Sequence, residues 1–325
     1  MEESIFEQRT DLSTLQRSVE VLKNEIGKVI VGQEQMIELL LAAILADGHV
    51  LIEGVPGVAK TLTAKLLSKS ISVGFSRIQF TPDLMPSDVI GTSVFNPKES
   101  AFQFRHGPLF SNIILIDEIN RAPAKTQAAL FEVMEERQVT VDGSTYPMSA
   151  PFMVVATQNP VEQEGTYHLP EAQLDRFLFK INVLYPTAEQ EVQILMNHNQ
   201  VKLDSMVEQV HPVISASDIE TLRASVRNIH VEDKLLHFIT AIVGRTRANK
   251  SIYLGASPRA SICIMNGAKA YAAMQGRDFV TPEDIIYVAP AVLRHRITLS
   301  PEKEMDGVPA DEVISQIIES VEVPR

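Results

Sequence analysis

The stretch GVPGVAKT, Gly54 to Thr61, carries the residue types that bind phosphate. Gly54 and Gly57 let a backbone bend and point its N–H groups at an anion. Lys60 supplies a cation that reaches β- and γ-phosphates, and the Thr61 hydroxyl is a ligand for Mg²⁺. The pattern G-x-x-x-x-G-K-[ST] asks for glycine before the lysine, and Ala59 stands there instead. A methyl group costs little at that point if φ is negative, and only a left-handed conformation penalises it. The expectation is that Ala59 takes helical φ at the entry to a helix opening near Lys60. A plain glycine turn before a lysine is the structural alternative.

A second cluster lies in NIILIDEIN, Asn112 to Asn120. A buried apolar strand running into Asp117 and Glu118 sets two carboxylates at the carboxyl end of a sheet, where open α/β folds bind ligands. Asp117 has the chemistry to hold magnesium, and Glu118 to orient or deprotonate an attacking water. Two solvated acids at a strand end is the bland reading. The strand PFMVVATQ then leads to Asn159-Pro160, an uncharged amide at another strand tip; by itself such a pair is a turn.

The elements that must position these groups read as follows. HVLIE at 49–53, RIQFT at 77–81, NIILID at 112–117, PFMVVAT at 151–157 and FKINVLY at 179–185 are strand-sized apolar runs, as expected of strands covered on both faces. Helical patterns at Thr61–Ser70 and Ala124–Glu136 lie between them; in the second, Leu130, Val133 and Met134 share a stripe that Glu132 and Glu135 avoid. Strands alternating with helices predict an α/β fold on a parallel sheet. After Tyr185-Pro186-Thr187 the strand signals stop, and helices are expected at 188–199, 217–228, 232–249, 260–274, from Thr281, and over 310–321. The expected domains are an α/β core, 1–186, and an α-helical domain, 187–325. Two short hairpins interrupt the core: Thr92–Phe95 with Ala101–Phe104 around Asn96-Pro97-Lys98-Glu99, and Gln138–Val141 with Ser144–Met148 around Asp142-Gly143, a strong two-residue turn signal.

The 325 residues are 45% apolar and 22% charged, with a formal net charge of −12. That balance suits a protein with real cores and carries no general footprint for nucleic acid; Arg245, Arg247 and Lys250 read as a solvated helix face. The single Cys263 excludes an intrachain disulfide and is expected to be a buried, inert thiol. MEESIFEQRTD is acidic where a secretory leader is basic, and the apolar run Met36–Ala46 is too short to span a bilayer. A cytoplasmic location is expected.

GVPGVAKT, LIDEINRAP, VVATQNPVEQEGTYHLPEAQLDRF and GASPRA, in that order, resemble the MoxR family of AAA+ ATPases over nearly the whole chain. The family's phosphate loop commonly carries alanine before its lysine. The resemblance implies an AAA+ P-loop core followed by a helical lid, with ATP and Mg²⁺ bound. It assigns Gly54, Val55, Pro56, Gly57, Val58, Ala59, Lys60, Thr61 and Leu62 to the nucleotide loop, and Val31 and Gln33 to adenine, although from the residues alone those two are a strand-to-helix turn. Asp117 and Glu118 match Walker B and Asn159 matches sensor 1. Arg176, in Leu174-Asp175-Arg176-Phe177, looks like an arginine finger acting on a neighbour's site. Arg259, in Ser257-Pro258-Arg259, looks like sensor 2; a surface ion pair is the plain reading of either arginine. Arg121 reads as an interface residue or a salt-bridge partner of the adjacent acids. The hairpins resemble the helix-2 insert and pre-sensor-1 hairpin of the clade that holds MoxR proteins, magnesium-chelatase motor subunits and replicative helicases. The resemblance further implies a homo-oligomeric ring, six-membered by analogy, and a chaperone-like action on protein clients in metal-cofactor maturation beside von Willebrand factor A domain proteins. A chelatase-like motor subunit, a nucleic-acid motor and a non-enzymatic nucleotide-holding scaffold are the alternatives.

Overall fold

The computed structural model describes residues 12–159, 167, 169–200 and 203–324. MEESIFEQRTD and the Pro160–Thr166 part of the motif after Asn159 lie outside these. Packing separates 22–40 with 47–220 from a second unit made of the described residues of 1–21, 41–46 and 221–325.

The first unit is built on a parallel sheet of five strands: β1 (His49–Gly54), β2 (Phe75–Gln79), β3 (Ile113–Asp117), β4 (Met153–Gln158) and β5 (Phe177–Val183). Their spatial order is β2-β3-β4-β1-β5. In register, Leu115 lies beside Val155 and Leu51 beside Ala156. The strands in the middle are buried almost throughout, which is why they read as continuous apolar runs rather than alternating ones. Ile114, Ile116, Val154 and Ala156 pack with Leu130, Phe131 and Met134 of the helix Ala124–Glu136. Strand alternation turns Ile113, Leu115 and Val155, also fully buried, to the opposite face. The apolar stripe predicted for that helix is its buried face, and Glu132 and Glu135 are exposed.

Both predicted hairpins form, as Gly91–Asn96 with Ala101–His106 and Gln138–Val141 with Ser144–Pro147. Asp142 and Gly143 both have positive φ, 51° and 78°, the backbone of a type I′ turn. Phe104 of the first hairpin lies 4.7 Å from the Tyr146 ring of the second, and Ser93 Oγ donates to Asp142 Oδ2.

The division into units does not coincide with the composition change at Thr187. Helices Ala188–Gln200 and Leu203–Glu208 group with the sheet. The segment behind them is tied back to the helix after the phosphate loop: Lys69 Nζ donates to the Val207 carbonyl at 2.6 Å, and the Val213 amide to the Ser70 carbonyl at 2.8 Å. Composition registers where the strands of the five-stranded sheet end, not which body the following helices join.

The second unit is mainly helical, with helices at Asp233–Ala248, Pro258–Met274, Pro282–Leu293 and Ala310–Glu319 close to the predicted positions. Thr281 and Asp284 form a capping box with proline in the first turn. Two departures appear. Ile252–Leu254 pairs antiparallel with Thr298–Leu299, so strand structure does not end at Tyr185; runs this short carry no readable period. Cys263 is only partly buried, with Arg296 Nη2 3.4 Å from its sulfur, rather than enclosed in the core. It sits near the start of the helix Pro258–Met274, three residues after the buried Ala260 and one before the buried Ile264.

Candidate functional site

Strand β1 ends at Gly54, where a Cβ would stand 2.8 Å from the Val183 carbonyl oxygen of β5. Glycine is required there by the close approach of two backbones. The chain then turns through Gly57, at φ +89° and with open space where a side chain would project, into the helix Lys60–Ile71. At the junction Ala59 has φ 61° and ψ 18°. This corrects the expectation of helical φ: the loop must reverse direction in one residue to start the helix, and the left-handed conformation does so. Ala59 has no side-chain acceptor, so no side chain caps the helix. The first-turn amides of a helix are donors without intrahelical partners and sit at its positive end.

These amides border a cavity of about 590 Å³. Its lining takes Pro56, Gly57, Ala59, Lys60, Thr61 and Leu62 from the loop and helix start, Asp117, Glu118 and Asn159 from strand ends, and a largely apolar set in Val29, Ile30, Val31, Ile194, His198 and Leu203. Lys60 Nζ donates to the Gly54 carbonyl, so the side chain folds back over its own loop. Val31 lines the cavity and Gln33 does not; Gln33 has φ 60° and donates to the Leu184 carbonyl at 3.0 Å. Their segment links the helices Ser13–Gly27 and Glu34–Leu45. It is therefore a helix-to-helix turn, not the strand-to-helix turn expected, because among the described residues a helix, not a strand, leads into it. Gly54, Val55 and Val58 shape the loop without lining the cavity, and Val58 is buried beneath it.

The carboxylates stand where β3 ends. Asp117 is its last residue and is buried; Glu118 follows in left-handed conformation at φ 57°. Thr157, from the neighbouring β4, binds both: its hydroxyl donates to Asp117 Oδ1 at 3.1 Å and accepts the Glu118 amide at 3.2 Å. From β2, Arg77 Nε donates to Asp117 Oδ2 at 2.6 Å and Gln79 Nε2 to Glu118 Oε2 at 2.8 Å. Arg121 Nε lies 3.1 Å from the same Glu118 oxygen, which makes it a salt-bridge partner of that acid. Sequence reasoning missed Arg77, Gln79, Thr157 and His198. Arg77 and Gln79 are two apart in a strand and so share a face, which was readable; that this face meets Asp117 follows from the pairing of Gln79 with Asp117 in register.

Arg176 is not in the cavity. Its guanidinium lies over the Phe131 ring, 5.9 Å from the centroid, and its Nε is 3.8 Å from a Glu135 carboxylate oxygen. Arg259 belongs to the second unit, exposed in the first turn of the helix Pro258–Met274.

Comparison with known proteins bears on this arrangement. Residues 49–179 match the model of the ATPase family associated with various cellular activities (AAA), and residues 244–317 the AAA lid domain. The chain is 49% identical to the protein YeaC of Bacillus subtilis over 92% of each chain. It is 43% identical to chaperone MoxR1 of Mycobacterium tuberculosis, over 97% of this chain and 84% of that one. A crystal structure of a protein from Cytophaga hutchinsonii superimposes with a TM-score of 0.89 at 43% identity, covering 97% of both chains. The phosphate loop, the strand-end carboxylates, the sheet that carries them and the helices behind are those of an AAA+ protein, and the chain belongs to the MoxR family of AAA+ ATPases.

Proposed function

We propose that the chain is a Mg²⁺-dependent ATPase that works as a homo-oligomeric ring and remodels protein clients. The observation that carries this reading is the convergence on one cavity of an uncapped helix start, Lys60, Asp117 and Glu118. The donor set fits the ligands. Thr61 and Asp117 offer hard oxygen atoms of the kind magnesium takes. No group of three or more His, Cys, Asp or Glu side chains able to hold a metal occurs among the described residues, consistent with an ion held jointly by protein and phosphate. The open space over Gly57 leaves the loop amides approachable.

In this reading the amides of Gly57 to Leu62 and the Lys60 ammonium hold the phosphates, and apolar lining residues such as Val31 and Ile194 receive the base. Thr61 and Asp117 would hold magnesium, which would offset negative charge on the phosphates. Glu118 orients a water for in-line attack and accepts its proton, and Asn159 holds that water's geometry. Gln79 and Arg121, both on Glu118 Oε2, fix the carboxylate between turnovers. Arg176 serves the site of an adjacent copy, and Arg259 answers to the nucleotide from the lid. Protein clients, a chaperone-like role in metal-cofactor maturation and a partner with a von Willebrand factor A domain are proposed from family membership. Among the described residues no helix is long and apolar enough to cross a membrane.

The test separates binding from chemistry. Lys60→Ala should lose ATP binding, because lysine holds phosphate in the ground state. Glu118→Gln should keep binding and lose turnover by about 10²–10⁴-fold, the range for a lost general base. Calorimetric binding and steady-state phosphate release measure the two. Equal loss of binding in both variants overturns the assignment.

A further inference from the structure

We propose that Arg77 is a built-in stand-in for the metal at Asp117, and that it sets how strongly nucleotide binding depends on magnesium. The inference rests on the nucleotide site proposed above and adds a residue to it that the phosphate-loop and strand-end motifs do not contain.

Asp117 is buried, with only 7% of its surface exposed. A buried carboxylate with no opposite charge is costly. Thr157 satisfies one oxygen as a neutral donor, at 3.1 Å, and the charge on the other is met by Arg77 Nε at 2.6 Å. The cation comes from β2, the edge strand beside β3, and the two side chains meet across the pairing that sets Gln79 opposite Asp117. Arg77 also lines the cavity. Its own side chain is 55% exposed, so it can swing into solvent without disturbing the core, whereas Asp117 is fixed.

A guanidinium on Asp117 Oδ2 and a divalent cation beside the same carboxylate repel each other. The carboxylate therefore exchanges one for the other. With Arg77 in place the empty site is stabilised, metal-free nucleotide is tolerated because the Asp117 charge is masked, and part of the gain from magnesium is spent on displacing the arginine. Removing the arginine lowers metal-free affinity and enlarges the gain from magnesium.

The experiment measures affinity for a fluorescent ADP analogue with chelator and with saturating magnesium, in the wild-type chain, Arg77→Gln and Arg77→Lys. The ratio of the two affinities should rise about tenfold in Arg77→Gln, equivalent to ~1.4 kcal/mol of coupling, and stay within about threefold in Arg77→Lys, which keeps the charge. A parallel thermal melt without nucleotide should show Arg77→Gln less stable than wild type in chelator, because the buried Asp117 charge is left unmet. An unchanged ratio makes the contact a surface ion pair and overturns the proposal. An equal loss of affinity with and without magnesium makes Arg77 a phosphate ligand and also overturns it. If the wild-type chain binds no nucleotide under either condition, the nucleotide reading itself fails and this one with it.

Discussion

Ala59 and Lys60 are neighbours with opposite histories. The lysine's role follows from its type and place in the loop, while the alanine adopts a backbone that its type disfavours, φ 61° at the helix start. A left-handed conformation costs a residue with a Cβ about 1–2 kcal/mol, and glycine nothing. Glycine gives back part of this through the greater entropy of its unfolded chain. Ala59→Gly should therefore raise unfolding stability by about 0.5–1 kcal/mol in urea titrations. Nucleotide affinity should stay within a few-fold, because the loop already holds the amides where glycine would put them. A loss of stability would mean that the left-handed turn is not retained in solution.

Among the elements, the two hairpins separate two reasons for glycine. Gly143 has φ +78° and nothing near a Cβ, so Gly143→Ala pays only for the conformation, about 1 kcal/mol. At Gly91, φ is +113° and a Cβ would stand 2.2 Å from the Arg105 carbonyl oxygen at the hairpin base. Backbone cannot give way there, and Gly91→Ala should cost about 3 kcal/mol. Chemical denaturation of both variants should show that order, and the reverse order would contradict the hairpin geometry. The helix Pro282–Leu293 offers a further case. Asp284, 1% exposed, accepts from the Thr281 amide at 2.8 Å and pairs with both terminal nitrogens of Arg277, at 2.7 and 2.5 Å. Asp284→Ala removes the cap and leaves a partly buried guanidinium uncompensated, a loss of about 3 kcal/mol, whereas Thr281→Ala should cost about 1 kcal/mol. Thermal melts of the two variants make that comparison.

For the whole molecule the proposed ring is tested through Arg176. Within one chain Arg176 lies against Phe131 and Glu135 and outside the cavity, as suits a group that serves another copy. Arg176→Ala should then bind ATP and hydrolyse it poorly, and Glu118→Gln should be inactive for a different reason. In rings mixed from the two, some interfaces join an intact Glu118 site to an intact Arg176. Phosphate release should rise and then fall with the mixing ratio, with co-assembly checked independently. Mixed rings that regain no activity, confirmed in a covalently linked pair of subunits, would place Arg176 in its own subunit's chemistry.

How much of this was legible in the chain divides along a physical line. The sequence by itself determined the phosphate loop's residue types, the acids at a strand end, the five sheet strands and most helices, because local periodicity and residue type control local backbone and burial. It also carried the I′ turn at Asp142-Gly143, a two-residue preference. The tertiary structure decided the rest. Whether Ala59 turns left-handed depends on the angle between β1 and its helix. That Arg77 and Gln79 meet Asp117 and Glu118 depends on a strand register set about forty residues away. That the helices after Thr187 join the sheet unit depends on bonds such as Lys69 to Val207, made between segments with no shared local pattern. Spacing along a chain encodes what a segment is; what it faces is fixed only when distant segments pack.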